Sequence, residues 1–344
     1  KRVALRLIDV GNAKRYTTDL IYNYACYIKL VLIWRGKMRE DILNHYKSTG
    51  PYTYAGLYKE YFKSLPNDIR ELGDLICSQV IHRVTLREGN SGANYDLRYG
   101  DMTKFPWYRL RCEDDVLMTA IAMTAELFRL DSRGFTLHRA TENKVVVTCR
   151  YVSVLMSAIL KAKGIPCRSR AGFAPYLKKK QSVDHWINQY WSSKEKRWIN
   201  FDADGFFEEK DLGFNQYDIP MDCFDWSAKA WLDIRRGKED GSRYIYGDGL
   251  GTNSLKAVIR GVFYDFHALM NNEISYRFQP SYIDGKFDKL TEEDILEIDE
   301  LAMLLLEPDV NFDELHELWN TKRKYRILNS PLVGDWDNQF IMKN

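Results

Sequence analysis

VTCRYVSVLMSAILKAKGIPCRSRAGF, residues Val147 to Phe173, decides how the rest of the chain is read. Val152, Leu155, Ile159 and Ala162 recur at helical spacing and predict a helix from about Arg150 to Lys163. Gly164 suits the C-terminal cap of that helix, and Pro166 forbids its continuation. Cys167 to Phe173 then reads as a strand with Cys167, Ser169 and Ala171 on one face, so Cys167 is expected in the core. Cys149 stands at the helix start, where free N–H groups and the helix dipole favour a thiolate, the reactive form of cysteine.

Two more strands are expected downstream, His185 to Tyr190 and Trp198 to Phe201. Charged, turn-prone stretches, Lys178 to Asp184 and Ser192 to Lys196, separate the three strands, and Lys178 to Lys180 reads as a solvated loop. His185 opens one strand and Asp202 follows the other, so adjacent antiparallel strands can set them side by side. A Cys–His–Asp set then needs only the helix N-terminus to face the sheet.

Upstream, Glu113 to Leu130 predicts a helix with three carboxylates, Glu113, Asp114 and Asp115, in its first turn. A strand over Val3 to Val10 and helices from Thr17 or Thr18 to Trp34, Tyr52 to Leu65 and Asp68 to Ile81 are expected before it. Arg87 to Pro106 reads as a long loop. Beyond Gly213 the pattern returns to helices. Thr291 and Asp294 form a capping-box signature for a helix to about Leu306, and Asn311 or Asp313 starts another through Lys324. GDGLGTNS, residues Gly247 to Ser254, reads as a turn, and KRKYR, Lys322 to Arg326, as the basic end of a helix.

The 344 residues suffice for a large core and for two or three subdomains. The expected division is a helical region 1–85, a catalytic core 86–215 and a helical region 216–344. A net charge of +2 argues against a dedicated nucleic-acid binder. The six cysteines, Cys26, Cys77, Cys112, Cys149, Cys167 and Cys223, form no close pairs and read as reduced thiols in a cytoplasmic protein. Leu20 to Trp34 is apolar but too short to span a bilayer, so no membrane partner is expected.

Cys149, then Gly164-Ile165-Pro166, Gly172, His185-Trp186, Trp198 and Asp202 fall in one order. That linked pattern resembles the transglutaminase-like superfamily, in its bacterial-type form. The family often places Gly two residues before the cysteine, where this chain has Val147. No CxxC pair of the kind seen in peptide-N-glycanase relatives is present, so deglycosylation is not implied. The resemblance implies an α+β fold of papain-like type, with a nucleophile-bearing helix packed on an antiparallel sheet and helical regions on both sides. It implies acyl transfer or hydrolysis at an amide or carboxamide: Cys149 as nucleophile, His185 as general base and acid, Asp202 as its orienter. The Cys149 N–H is one oxyanion donor, and Trp107 or Tyr108 a weaker candidate for another. The chemistry calls for no cofactor or metal. The substrate is expected to be a protein or peptide amide, or a small amide or amine.

The competing expectations are simpler. A non-catalytic scaffold that keeps the fold and holds a partner on its aromatic, helical flanks is the alternative function. Cys26, Cys77, Cys112 and Cys223 are read as core residues. His45, His82, His267 and His316 are each read as structural, and His138 as a poor rival to His185. Asp184 and Asp204 are alternative orienters, and Trp186 and Trp198 are expected to pack in the core.

Overall fold

The computed structural model describes residues 38–82, 95–96, 100–101, 105–109, 113, 116–205, 209–246, 254–276, 278–283, 287 and 289–328. The strand at Val3 to Val10, the helix at Thr17 to Trp34, Cys26, Cys112 and most of GDGLGTNS lie outside them. The chain divides into two units, Lys1–Leu43 and Asn44–Asn344. The described part of the first is residues 38–43, which open helix α1 (Glu40–Lys47). The second unit holds everything that follows.

A pair of short helices comes first, α2 (Lys59–Ser64) and α3 (Ile69–Cys77). Asp68 caps α3, its carboxylate accepting from the Arg70 and Glu71 amides. The helix expected to reach Ile81 ends at Cys77 instead. Val80–His82 is strand β1, and its β-branched pair Val80-Ile81 suits that conformation better than a helix end. It runs parallel to β2 (Val145–Val147), with His82 opposite Val147.

Helix α4 (Ala120–Leu130) separates those strands in sequence. It starts seven residues later than its periodicity suggests, because Thr119 caps it: the Thr119 hydroxyl accepts from the Ala122 amide. Glu113 has another task. Its carboxylate accepts from the Val146 amide at 2.7 Å and from Arg109, holding the outer edge of β2. Helix α5 (Cys149–Ala162) follows β2 directly, with Thr148 at its N-cap.

The main sheet has the order β5-β4-β3-β6, all antiparallel, from β3 (Cys167–Ala174), β4 (Ser182–Ser192), β5 (Arg197–Phe201) and β6 (Asp225–Trp226). Helix α6 (Ser227–Arg235) follows, and a two-residue strand β7 (Tyr244–Ile245) adds a parallel pairing to the start of β4. Helices α7 (Ser254–Leu269), α8 (Glu292–Leu305) and α9 (Phe312–Thr321) close the described part of the chain; outside these layers, Tyr95–Asp96 pairs antiparallel with Gly100–Asp101 within the stretch expected as a loop, and Glu209–Leu212 is a four-residue helix. The capping box forms as expected: Thr291 Oγ1 accepts from the Asp294 amide, and the Asp294 carboxylate accepts from the Thr291 amide. Lys322 to Arg326 leaves α9 and tightens into a 3-10 turn, where Lys322 and Lys324 pair with Glu297.

The sheet lies between two helical layers. On one face α5 packs against β3 and β4, backed by α2, α3 and α4. On the other, α7 crosses β3 and is itself covered by α6 and α8. This is the α+β arrangement with a helix laid on an antiparallel sheet.

Every residue of α5 is buried, although its sequence pattern offers only one apolar stripe. A second, polar stripe of Arg150, Ser153, Ser157 and Lys161 is buried because each member finds a partner. The Ser153 and Ser157 hydroxyls bond Ser169 on β3, and the Asn188 amide on β4 donates to Ser157 at 2.9 Å. Lys161 donates to the Asn271 side chain at 2.6 Å, and the Arg150 guanidinium to the Glu273 carbonyl. A similar pair joins sheet to outer layer, where Arg170 of β3 binds both oxygens of Asp265 on α7 at 2.8 Å.

Candidate active site

Cys149 is the first residue of α5 and is only 4% exposed. Three hydrogen-bonding neighbours surround its sulfur. The Tyr276 hydroxyl lies 3.0 Å from Sγ, and the His185 and His82 imidazoles stand beside the thiol, close enough to act on its titration. Burial by itself would push the thiol pKa up. The adjacent His185 imidazole, through its charge and its hydrogen bond, and then the bond from His82, more than offset this, although Asp204 opposes them. Cys149 is thereby held below the ordinary thiol range. Cys167 and Cys77 show burial without such partners: it pushes them up to about 11 and about 12. Cys223 is raised for the same reason.

His185 sits on β4 directly opposite Gly172 of β3. Its Nε2 lies 2.8 Å from Asp202 Oδ2, leaving Nδ1 as the nitrogen able to serve the thiol. Burial disfavours its charged form, but the carboxylate of Asp202 and the thiolate of Cys149 raise it well above the usual imidazole value. Gly172 is needed for its small size. A Cβ there would stand 2.6 Å from the Asp225 carbonyl oxygen of β6 and 2.4 Å from the Phe224 ring.

Asp202 follows the last residue of β5, and its backbone is clamped by Gln216. The Asp202 amide donates to the Gln216 carbonyl at 3.0 Å, and the Gln216 side chain donates back to the Asp202 carbonyl at 2.6 Å. Its carboxylate is fully engaged: Oδ2 accepts from His185 and from the Tyr176 hydroxyl at 2.9 Å, and Oδ1 accepts from the Asp204 amide at 2.9 Å. Burial and the Asp202 charge raise Tyr176 well above the usual phenol range, so its proton stays on to donate.

The three residues expected from the sequence therefore meet in one place. The rivals do not take their roles. His138 is exposed, and Asp204 turns from His185 to His82, Nε2 to Oδ2 at 3.4 Å. Trp186 is buried against Tyr264 and Tyr276, as expected of a core residue. Trp198 packs on Trp191 and under the Arg168 guanidinium. His45 and His267 bond backbone carbonyls of Leu269 and Tyr325, the structural role read for them.

His82 is the correction. It does not stand alone as a structural histidine but lies beside the Cys149 thiol, carried there by the parallel pairing of β1 with β2. Burial works against its charged form, yet the Asp204 carboxylate and the bond to Cys149 push it up to about 9. Two His–Asp pairs, His185–Asp202 and His82–Asp204, thus flank one sulfur. Tyr276 was also not foreseen. Tyr108, one of the two residues suggested as an aromatic donor, is 63% exposed, while the hydroxyl that reaches the sulfur comes from the segment after α7. Neither residue carries a local sequence signal, since each is brought in by long-range pairing.

Comparison with known proteins matches residues 132–203 to the transglutaminase-like superfamily. Residues 132–203 form a transglutaminase-like domain. That span runs from before β2 to just past Asp202 and contains Cys149, His185 and Asp202. No curated protein matches the chain at a significant level. Among solved structures, a candidate cysteine protease from Cytophaga hutchinsonii is similar at 14% identity and a TM-score of 0.30. The likeness covers 54% of this chain and 46% of that one, so this chain spans about half the length of that relative. At that score it bears on neither fold nor activity.

Proposed function

We propose that this protein is a thiol-dependent enzyme that transfers or hydrolyses an acyl group at an amide or carboxamide, with Cys149, His185 and Asp202 as its triad. The observation that carries this is the His185–Asp202 pair at 2.8 Å, aligned on a thiol held below its ordinary pKa at the start of α5. In the proposed step the Cys149 thiolate attacks the substrate carbonyl, and the oxyanion takes the electron pair. The Cys149 N–H, at a helix N-terminus, is one donor for it, and the Tyr276 hydroxyl is the second candidate. His185 gives its proton to the departing amine as the thioester forms. It then takes a proton from the incoming water or amine while the thioester breaks and Cys149 leaves as thiolate. Asp202 keeps the ring oriented and balances its charge, and Tyr176 holds that carboxylate in turn. The acceptor is water or an amine, and the substrate is a protein, a peptide or a small amide.

The test is alkylation of the purified chain by iodoacetamide from pH 5 to 9 with a chelator present, each cysteine being mapped by peptide mass spectrometry. Cys149 alone should label quickly at acidic pH, and His185→Ala should remove that selectivity. Labelling of Cys149 no faster than that of Cys167 or Cys223 would overturn the proposal. One observation favours the scaffold alternative: Cys149 is nearly covered, with Tyr276 against its sulfur. Slow labelling that persists in Tyr276→Phe would support that second reading.

Among the described residues, no helix is long and apolar enough to cross a membrane.

A further inference from the structure

His82, Cys149 and Asp204 offer an imidazole nitrogen, a sulfur and a carboxylate oxygen that all lie within 4.8 Å of one another. The His82 Nε2 to Asp204 Oδ2 separation is 3.4 Å. A tetrahedral ion with metal–nitrogen and metal–oxygen bonds of about 2.1 Å sets those two atoms about 3.4 Å apart. The pair is therefore already spaced as one edge of a zinc tetrahedron, and the Cys149 sulfur, within 4.8 Å of both atoms, is the third ligand. The three residues come from β1, the first residue of α5 and the turn after β5, so their backbones are fixed by separate elements. Thiolate and imidazole together select a borderline or soft ion. Magnesium and calcium would require oxygen ligands. One thiolate and one carboxylate also neutralise a divalent ion, which matters where Cys149 and Asp204 are buried. His82 is the most exposed of the three and marks a route from solvent.

We propose that His82, Cys149 and Asp204 form an inhibitory zinc site, in which the metal takes the nucleophile's sulfur away from the His185–Asp202 pair. On binding, His82 gives up a ring proton to solvent, as does the sulfur where it is still a thiol, and the His82 and sulfur electron pairs are committed to zinc, so Cys149 can neither attack a carbonyl nor be alkylated. Zinc removal restores it. His82 and Asp204 serve as ligands, while His185 and Asp202 take no part. The inhibitory role rests on the acyl-transfer proposal, whereas metal coordination by the three residues does not, because the sulfur–metal bond is read directly whether or not the chain turns over a substrate.

The experiment uses the full chain stripped with a chelator and titrated with cobalt(II), then with zinc. A sulfur-to-cobalt charge-transfer band in the near ultraviolet, saturating at one equivalent and lost on adding zinc, is expected. Zinc should also protect Cys149 from iodoacetamide. Asp204→Asn, which keeps shape, and His82→Ala should each weaken zinc at least as much as the roughly 10–100-fold loss known for disturbed outer-shell partners. His185→Ala should keep both the band and the protection, with circular dichroism confirming that each variant is folded. Absence of the band in the unaltered chain would overturn the proposal. So would a band that survives Asp204→Asn undiminished, or one abolished by His185→Ala, which would put the metal on the other pair.

Discussion

At the scale of single residues, the environment of Cys149 separates it from the other described cysteines more sharply than burial does. Cys167 is as buried, yet its thiol is pushed up while that of Cys149 is held down. The difference is the imidazole beside it, and His185 depends on Asp202 for its charge. Asp202→Asn keeps shape and removes that charge. Alkylation of Cys149 at pH 6 should then slow by roughly tenfold or more, since each unit of pKa is a tenfold change in thiolate. An unchanged rate, read by the same peptide mapping, would show that the carboxylate does not support the imidazolium. Gly172 supplies a second residue-scale prediction. Adding one methyl at Gly172→Ala presses on the Asp225 carbonyl and the Phe224 ring, and overpacking of this kind costs about 1–3 kcal/mol. A chemical denaturation curve should show that loss, along with slower labelling of Cys149, because His185 lies across the ladder from this site.

At the scale of elements, α5 does two things at once. Its N-terminus presents the Cys149 thiol, and its buried polar stripe ties down the sheet and the segment after α7. Arg150, the residue after Cys149, donates to the Glu273 and Met118 carbonyls and stacks on Tyr52 and Tyr151. It thereby anchors the segment that brings Tyr276 to the sulfur. Arg150→Met keeps much of the volume but leaves the buried Glu273 carbonyl and the part-buried Met118 carbonyl without their donor, at about 1–3 kcal/mol for the buried group left unsatisfied. Hydrogen exchange should rise at residues 271–276 well before the core of α5 is affected. Equal loss of protection in both would mean that Arg150 stabilises the fold as a whole and does not secure this segment in particular.

At the scale of the whole molecule, buried histidines outside the site make stability depend on pH. His267 lies inside the outer layer, bonded to the Tyr325 carbonyl at 2.8 Å and to Asn272 at 3.0 Å. Burial lowers its pKa to about 4, against 6.5 for the free group, and His45 is lowered to about 4 for the same reason. A base whose folded pKa is depressed contributes its full share above the unfolded value. That share is lost as pH falls from about 6.5 towards 4, because the unfolded chain takes up the proton first. Each histidine can account for up to about 3 kcal/mol of that loss. Urea denaturation at pH 7 and pH 5 should show a clear fall, and His267→Gln should flatten the slope. An unchanged slope in that variant would assign the acid sensitivity elsewhere.

The chain by itself determined whatever follows from local spacing. The helix after Cys149, the stop at Gly164-Ile165-Pro166, the three long strands and the Thr291 capping box were all legible, because periodicity, caps and breakers act over a few residues. Two successive antiparallel strands made it possible for His185 and Asp202 to lie side by side, and the resemblance to the transglutaminase-like superfamily implied that Cys149 joins them. What only the tertiary structure decided was set by distant partners. Val80 to His82 became a strand because Val145 to Val147 lay free to pair with it, and Glu113 left a helical pattern to cap that pair's edge. The polar stripe of α5 could be buried only because Ser169, Asn188, Asn271 and Glu273 converge on it. The second His–Asp pair and Tyr276 reach the sulfur by the same route: residues without any local signal, placed by pairing and packing across most of the described chain.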